Sequence, residues 1–393
     1  MSKRIFLDYA STTPLDKRVL KAMLPYFSET FGNPSAIYKE GLEAKAPVKQ
    51  ARVDIAQILN CKAEEIIFTA SGTEADNLAV LGTFNYWKKE LKDSKPHIIT
   101  TNIEHPGILE MCRFIEKEGG EVTYVPVEEN GIVDPTKIKA ALKPTTVLVT
   151  IILASNEIGT IQPVKEISRM IAEYKKENNL DNAYPYLHTD ASQAANYLDI
   201  SFQKLGVDMM TLDASKLYGP KGVGLLAAKR HVLLSPIIRG GGQEKGLRSG
   251  TENVAGIVGM TEALKISHAM REEESERLAK LQEYFIQSVI KYIPDVSING
   301  DITRRLPNNV NICIPGLDAE FAVIKLDHEG IACSSASSCM NLSEESYSYV
   351  VDALGERGKQ CRASSLRFTF GRATTKKDLD LTLKKITNII ITQ

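Results

Sequence analysis

A chain of 393 residues is too long for one ordinary hydrophobic core, and it fits two domains or one large domain with a smaller one. Its composition is that of a globular protein, with 43% hydrophobic residues, 25% charged residues and a formal net charge of −1. This near-neutral balance provides no excess of positive charge for binding nucleic acid or an anionic membrane. No stretch is apolar over the length of a membrane span.

The N-terminal residues and the cysteines give expectations about the compartment. The N-terminus lacks the apolar core and cleavage site of a secretory signal, so we expect a cytoplasmic location. The six cysteines are sparse for this length, and no CxxC pair or Cys/His cluster indicates a metal site. In a reducing compartment thiols are the default, so we expect any special cysteine to be reactive rather than bridged.

Short β-branched runs alternate with helical patterns in the first part of the chain. Strands are predicted at 65–69, 97–100, 121–125, 147–152, 186–190 and 209–212, with helices at about 74–89 and 108–118. Strands separated by helices imply βαβ units and a mostly parallel sheet, whose ligands lie at the carboxyl ends of the strands.

A long charged helix at about 261–292 follows three glycines at 240–242 and is predicted to mark a domain boundary. Beyond it, strands at 309–314 and 366–370 and a helix at 319–327 predict a smaller α+β domain. We therefore expect residues 15–260 to form a large domain, and residues 1–14 with 261–393 to form the small one.

The first polar cluster, at 69–74, lies where a strand end turns into a helix start. The exposed N–H groups and positive dipole end of such a helix can bind phosphate, with Thr73 adding a hydroxyl. An ordinary helix cap, with Glu74 in the first turn, explains the same residues.

The second cluster, at 215–222, contains a lysine at a strand end before a Gly/Pro-rich turn. Lys216 could be a Schiff-base residue, because burial or neighbouring cations make a lysine amine nucleophilic. A solvated loop lysine is the competing interpretation, and Lys221 is a second candidate within the same motif.

The third cluster, at 188–193, places Asp190 at a predicted strand end. A carboxylate there could pair with the pyridinium nitrogen of pyridoxal 5′-phosphate (PLP), which acts as an electron sink. Alternatively, Asp190 simply caps the next helix.

The fourth cluster, at 332–340, is a Ser-rich stretch of small residues that contains Cys333 and Cys339. Such a stretch favours a mobile, accessible loop. A reactive thiol must be accessible, and it must also ionise to the thiolate. The alternatives are an inert surface thiol and a disulfide between Cys333 and Cys339.

Together these clusters resemble the cysteine desulfurases of the NifS/IscS type, in the class V branch of fold-type I PLP enzymes. The likeness runs from residues 6–13 to residues 367–372, with intermediate motifs in family order at 31–35, 104–105, 156–159, 240–244 and 248–251. The resemblance implies an α/β fold of the fold-type I PLP-dependent transferases, with a mostly parallel seven-stranded sheet in the large domain.

The resemblance also implies residues that hold the PLP ring. Lys216 would bind the cofactor covalently, His105 would stack on the pyridine ring, and Asp190 would pair with the ring nitrogen. Asn156 and Gln193 would hydrogen-bond around the phenolic oxygen and the substrate. A helix-capping histidine is the alternative interpretation of His105.

By the same resemblance, the cofactor phosphate would contact the amides of Gly72 and Thr73 and the Thr73 hydroxyl. Ser215 would donate a further hydrogen bond. Thr251 would reach the phosphate in a partner subunit, which implies a homodimer.

Substrate chemistry follows from the resemblance as well. Arg367, helped by Asn33 and Asn156, would bind the carboxylate of L-cysteine, for which a bidentate guanidinium is suited. Lys216 would move the α-proton, and the Cys339 thiolate, helped by His105, would attack the substrate sulfur. The products would be L-alanine and a Cys339 persulfide, whose sulfur would pass to an acceptor protein for iron–sulfur cluster assembly or tRNA thiolation.

The chain departs from the family pattern before the lysine, where Asp213-Ala214-Ser215 replaces the usual Ser-x-His. A carboxylate within ~4–6 Å of a phosphate is a like-charge pair, so Asp213 turns away, stays protonated or weakens PLP binding. Ala336 stands where the family usually has glycine, and Met340 and Asn341 stand where it usually has small residues, so we expect the loop to be less mobile. Gln393 follows soon after the last predicted helix, so we expect the extension by which some relatives dock a scaffold protein to be missing and that partner to be in doubt.

Two other functional interpretations of the sequence remain open. One is a selenocysteine lyase or another class V PLP enzyme, although Cys339 favours sulfur chemistry. The other is a catalytically silent relative that acts as a binding subunit, which the changes at Asp213 and Ser215 allow.

Overall fold

A computed structural model describes residues 4–91, 94–180, 184–335 and 347–391. The strands in these ranges are β1 (Ile5–Phe6), β2 (Ile66–Thr69), β3 (His97–Thr101), β4 (Glu121–Val125), β5 (Thr146–Thr150), β6 (Tyr186–Asp190), β7 (Met209–Asp213), β8 (Gly224–Ala228), β9 (Ser297–Ile298), β10 (Asn309–Cys313), β11 (Ile331–Ala332), β12 (Ser334–Ser335) and β13 (Ser365–Thr369).

The helices in the same ranges are α1 (Lys17–Met23), α2 (Pro25–Ser28), α3 (Lys39–Leu59), α4 (Gly72–Glu90), α5 (Pro106–Lys117), α6 (Pro135–Ala141), α7 (Val164–Glu177), α8 (Phe202–Leu205), α9 (Val254–Tyr292), α10 (Ala319–His328), α11 (Tyr349–Asp352), α12 (Gly355–Cys361) and α13 (Lys376–Ile391). None of these helices is both long and apolar enough to cross a membrane.

The large sheet has seven strands in the order β2-β8-β7-β6-β5-β3-β4. Only β8 runs antiparallel to its neighbours, and every other pair of adjacent strands is parallel. All residues of β3, β5 and β6 are buried, as expected for central strands covered by helices on both faces. The predicted fold, with its mostly parallel seven-stranded sheet, is confirmed.

The C-terminal part of the chain forms a four-stranded antiparallel sheet in the order β12-β13-β10-β9. Strand β1, near the N-terminus, pairs in parallel with β11, so the first strand packs with the C-terminal part. Helix α9 crosses the predicted boundary: Ile257 and Leu264 lie in the core around the large sheet, and Phe285 lies in the second core. The domain limits drawn from the sequence stay a prediction.

The structure contradicts the expectation that the cysteines are thiols by default, because Cys313 and Cys361 form a disulfide with their Cα atoms 5.4 Å apart. The strand register explains the pairing. Cys313 ends β10 opposite Ser365, the first residue of β13, and Cys361 ends the helix just before that strand. Cys333 is a free, buried thiol, which argues against its pairing with Cys339.

Candidate active site

A cavity of about 310 Å³ lies at the carboxyl ends of the large sheet's strands. Its lining residues follow the ends of β2, β3, β5, β6 and β7, and the N-terminal segment and β13 complete the wall. The cavity collects many of the residues predicted from sequence, namely Gly72, Thr73, His105, Asn156, Asp190, Gln193, Lys216 and Arg367. Carboxyl ends of parallel strands meet at one edge of a sheet, and this geometry brings the dispersed motifs together.

The other predicted residues are not part of this described cavity lining. The Ser215 amide donates to Asp213 Oδ1 at 2.8 Å. Asn33 is exposed, and its Oδ1 accepts a hydrogen bond from the Ser35 amide at 2.9 Å. Thr251 is also exposed, and Cys339 lies outside the described residues. Their functional roles stay predictions.

Lys216 ends a short 3₁₀ turn, Ala214–Lys216, that directly follows β7. Its Nζ donates a hydrogen bond to the Ser11 carbonyl at 2.5 Å, so the amine reaches the N-terminal wall of the cavity. The Lys216 carbonyl accepts from Asn196 Nδ2 at 2.7 Å, which holds the turn in place. Lys221, the competing lysine, is exposed and does not line the cavity.

His105 both caps a helix and lines the cavity. Its Nδ1 accepts a hydrogen bond from the Gly107 amide at 3.1 Å at the start of α5, so the neutral ring carries its proton on Nε2. Burial lowers the pKa of His105 and Lys216 lowers it further, while Asp190 opposes the shift. The imidazole is therefore neutral at pH 7, with Nε2 as its donor nitrogen.

Asp190 ends β6 and is 8% exposed within the cavity wall. Its Oδ1 accepts from the Ser192 amide at 2.9 Å, which stabilises a turn, because residues 192–197 form turns and the next helix, α8, is capped by Ser201. The helix-capping interpretation of Asp190 is therefore wrong, and the residue lines the cavity.

Asp76 is a cavity residue that the motif analysis missed. It is 1% exposed, and its Oδ1 has no hydrogen-bond partner in the described residues. Burial first, and then the Asp190 charge, raise the pKa of Asp76 well above its ordinary value. Helical spacing could have found it, because Asp76 lies four residues after Gly72 on the same face of α4.

Arg367 is 2% exposed and extends from β13 into the cavity. Its Nη2 donates to Asp8 Oδ1 at 2.7 Å and to Ser11 Oγ at 2.9 Å, and its Nη1 donates to the Asn156 carbonyl at 3.1 Å. Its Nε is buried without a partner among the described residues. A buried unpaired donor is costly, so this N–H group is ready for an acceptor that enters the cavity.

Asp213 lines the cavity and does not turn away from it, which excludes one of the three alternatives weighed from sequence. Its two oxygens accept hydrogen bonds from backbone amides, Oδ2 from Gly72 at 3.0 Å and Oδ1 from Ser215 at 2.8 Å. The carboxylate thus lies at the start of α4, where the sequence predicts a phosphate site.

Comparison with known proteins gives consistent matches. Residues 5–382 match the family model described as aminotransferase class-V. Cysteine desulfurase IscS of Dictyoglomus turgidum is 43% identical over 390 residues, covering 99% of this chain and 95% of that protein. Cysteine desulfurase IscS of Clostridium botulinum strain Hall is 42% identical over 392 residues, with the same coverage. A solved NifS-like protein has a TM-score of 0.89 and 32% identity, covering 99% of this chain and all of that one.

Proposed function

The chain belongs to the aminotransferase class-V family, and within it we propose a PLP-dependent cysteine desulfurase that makes L-alanine and a Cys339 persulfide from L-cysteine. Relatives named cysteine desulfurase match the chain almost from end to end. One observation carries the proposal: a single cavity brings together an amine, a neutral imidazole, a carboxylate and a guanidinium, from Lys216, His105, Asp190 and Arg367.

The cavity residues fit PLP in chemistry. Lys216 supplies the amine for covalent attachment, Asp190 a carboxylate for the ring nitrogen, and His105 a ring for stacking. At the start of α4, a Cβ on Gly72 would lie 3.1–3.3 Å from Asp213 and Ser192, a tight contact that glycine avoids. When bound, PLP supplies an electron sink for the α-carbon of the substrate.

The substrate carboxylate is assigned to Arg367. Its Nη groups already bond to Asp8, Ser11 and Asn156, which fixes the plane of the guanidinium and leaves Nε for the substrate. Lys216 Nζ lies against Ser11, which also contacts Arg367. An amino acid held at Arg367 therefore has its α-carbon near the amine that moves its proton.

Sulfur transfer is assigned to Cys339, and the chain on either side of it supports this. Ser334 pairs with Arg367 in the sheet register, so the segment begins next to the carboxylate site. Cys339 is the fourth residue after Ser335, a reach of up to roughly 14 Å in an extended chain. After the segment, the Tyr349 hydroxyl donates to the Glu104 carbonyl, next to His105.

We also propose a homodimer. Large apolar side chains are concentrated on the surface of the N-terminal part, where Phe27 is 63%, Phe31 is 71% and Ile37 is 92% exposed. Such clusters are typical of protein interfaces. The exposure of Thr251 is compatible with its predicted contact to the partner's phosphate. Light scattering after size exclusion should give twice the chain mass of 43.4 kDa.

For the sulfur acceptor, we propose a class of protein and not an individual protein. A persulfide needs a nucleophilic acceptor thiol, so we propose an acceptor protein of iron–sulfur cluster assembly or tRNA thiolation. The cytoplasmic location stays a prediction, and the Cys313–Cys361 disulfide is unusual for a reducing compartment.

The test is to incubate the PLP-loaded protein with L-cysteine and to measure alanine, sulfide and the mass of each cysteine peptide. We expect alanine to form and one sulfur atom to be added at Cys339. The variant Cys339→Ser should lose both, while Cys333→Ser should keep them, because burial raises the pKa of the Cys333 thiol to about 12.

The outcomes separate the alternatives. No alanine from a PLP-loaded protein would favour the silent binding subunit. Alanine formation from selenocysteine that persists in Cys339→Ser, with none from cysteine, would favour a selenocysteine lyase.

A further inference from the structure

The carboxylate of Asp213 is bound like a ligand at the start of α4. Asp213 ends β7 and is half-buried, and its two oxygens are divided between the Gly72 and Ser215 amides, at 3.0 and 2.8 Å. Gly72 is the first residue of a 19-residue helix, so its N–H group has no partner within that helix. The Asp213 side chain therefore satisfies a donor that the helix cannot satisfy itself.

An anion is the favoured occupant of this position, because the N-terminal amides and the helix dipole both stabilise negative charge. A phosphate bound at the start of α4 would use the same Gly72 amide. That amide is already occupied, because it donates to Asp213 Oδ2 at 3.0 Å. A phosphate must displace the carboxylate from this amide or lie beside it as a like charge.

On the basis of the proposed function, we propose that Asp213 is a built-in substitute for the cofactor phosphate, which stabilises the apoprotein and weakens PLP binding through the phosphate group. The two effects have one origin, because the hydrogen bond that caps α4 in the apoprotein is the one that the phosphate must replace. Simple repulsion from a nearby carboxylate would weaken PLP binding without stabilising the apoprotein.

The setting of the carboxylate strengthens this inference. Asp76 and Asp190 line the same cavity, so a phosphate adds negative charge to a region that already holds three carboxyl groups. Burial disfavours a charge on Asp76 and raises its pKa, whereas each oxygen of Asp213 accepts a hydrogen bond from a backbone amide.

The experiment compares the wild-type protein with Asp213→Ser and Asp213→Asn, with Asp134→Asn as the matched control. Asp134 also caps a helix through its carboxylate, at the start of α6, and it does not line the cavity. Thermal unfolding of each apoprotein is followed with and without inorganic phosphate. Dissociation constants for PLP and for pyridoxal, which lacks the phosphate, are measured by absorbance titration.

We expect the apo Tm of Asp213→Ser to fall by about 2 °C, and its PLP dissociation constant to decrease about tenfold. Pyridoxal affinity should stay unchanged, and inorganic phosphate should raise the Tm of Asp213→Ser more than that of the wild type. Asp213→Asn keeps one acceptor without the charge, so its apo Tm should lie between the two while its PLP binding tightens.

Equal PLP dissociation constants in the wild type and both Asp213 variants would overturn the inference and leave the proposed function intact. An equal gain in pyridoxal affinity would also overturn it, because the effect would not act through the phosphate. If no protein binds PLP, the proposed function fails, and the inorganic phosphate series still decides whether Asp213 occupies an anion site.

Discussion

The Glu157 carboxylate accepts a hydrogen bond from the Ser348 hydroxyl at 2.5 Å, and the two side chains are almost completely buried. Ser348 also caps α11 by accepting from the Val351 amide at 2.9 Å. The pair therefore ties the segment after β5, which carries Asn156, to the chain just beyond residues 336–346. Burial raises the pKa of Glu157 to about 7, although Ser348 and the Arg367 charge oppose the shift.

This pKa predicts how stability depends on pH. The folded state holds the Glu157 proton more tightly than the unfolded state, so the free energy of unfolding decreases as pH rises from about 4.5 to about 7. Glu157→Gln removes this loss. We therefore expect the difference in unfolding free energy between the variant and the wild type to shift by about 2 kcal/mol in favour of the variant from pH 5 to pH 8. Urea unfolding at the two pH values measures the difference.

The control for this experiment is Glu177→Gln, on the exposed end of α7. Glu104, whose pKa burial raises to about 8, is unchanged in both proteins and cancels in the comparison. The same stability difference between Glu157→Gln and wild type at pH 5 and pH 8 would contradict the raised pKa.

Lys216→Ala should remove covalent PLP binding and lower alanine formation by about 10²–10⁴-fold, because the attachment point and the proton carrier are lost together. The control Lys221→Ala changes an exposed lysine of the same turn and should leave both properties close to wild type. Borohydride reduction followed by peptide mass analysis should locate the cofactor on residue 216. Labelling of another lysine would refute the assignment of the site.

Arg367→Lys should raise the KM for cysteine roughly tenfold or more, because an ammonium group cannot reproduce the planar, multiply bonded guanidinium. Lysine keeps the positive charge opposite Asp8, which limits the structural damage of the change. Arg362→Lys is the control, since Arg362 forms a partly exposed ion pair with Asp352 at 3.0 Å. A KM rise of the same size in both variants would show that Arg367 does not bind the substrate.

The sheet could be predicted from sequence because its strands are short apolar runs between helical patterns, as in β5. The predicted helix boundaries were less accurate where a capping hydrogen bond determines the first residue of the helix. Helix α4 was predicted from Glu74 but begins at Gly72, because the Ser71 hydroxyl accepts from the Glu74 amide at 3.1 Å. Strand-end positions then located much of the cavity, since the carboxyl ends of parallel strands meet.

Contacts between distant segments could not be read from the sequence. Asp8 is 359 residues from its partner Arg367, and no local pattern marks the pair. The sequence predicted only that the Asp213 carboxylate and a phosphate would be two like charges close together. It did not predict the amide donors of Asp213, because they come from two different segments. The Cys313–Cys361 disulfide likewise depends on the pairing of β10 with β13, which periodicity does not determine.

That disulfide gives the last prediction. It closes a loop of 48 residues that includes residues 336–346, and a crosslink stabilises a protein mainly by restricting its unfolded chain. The double variant Cys313→Ser/Cys361→Ser should therefore lose about 2–4 kcal/mol of unfolding free energy in urea. A reductant should lower the stability of the wild type by a similar amount and leave the double variant unchanged.

Cys61→Ser is the matched control, because Cys61 is a free thiol whose loss opens no loop. Alkylation of the unfolded wild type without reductant should leave only the peptides of Cys313 and Cys361 unlabelled. Full labelling of these two peptides would mean that the purified protein lacks the crosslink. If the double variant is as stable as the wild type while the bond is present, the crosslink adds no stability, and strain in the folded state offsets the restriction of the unfolded chain.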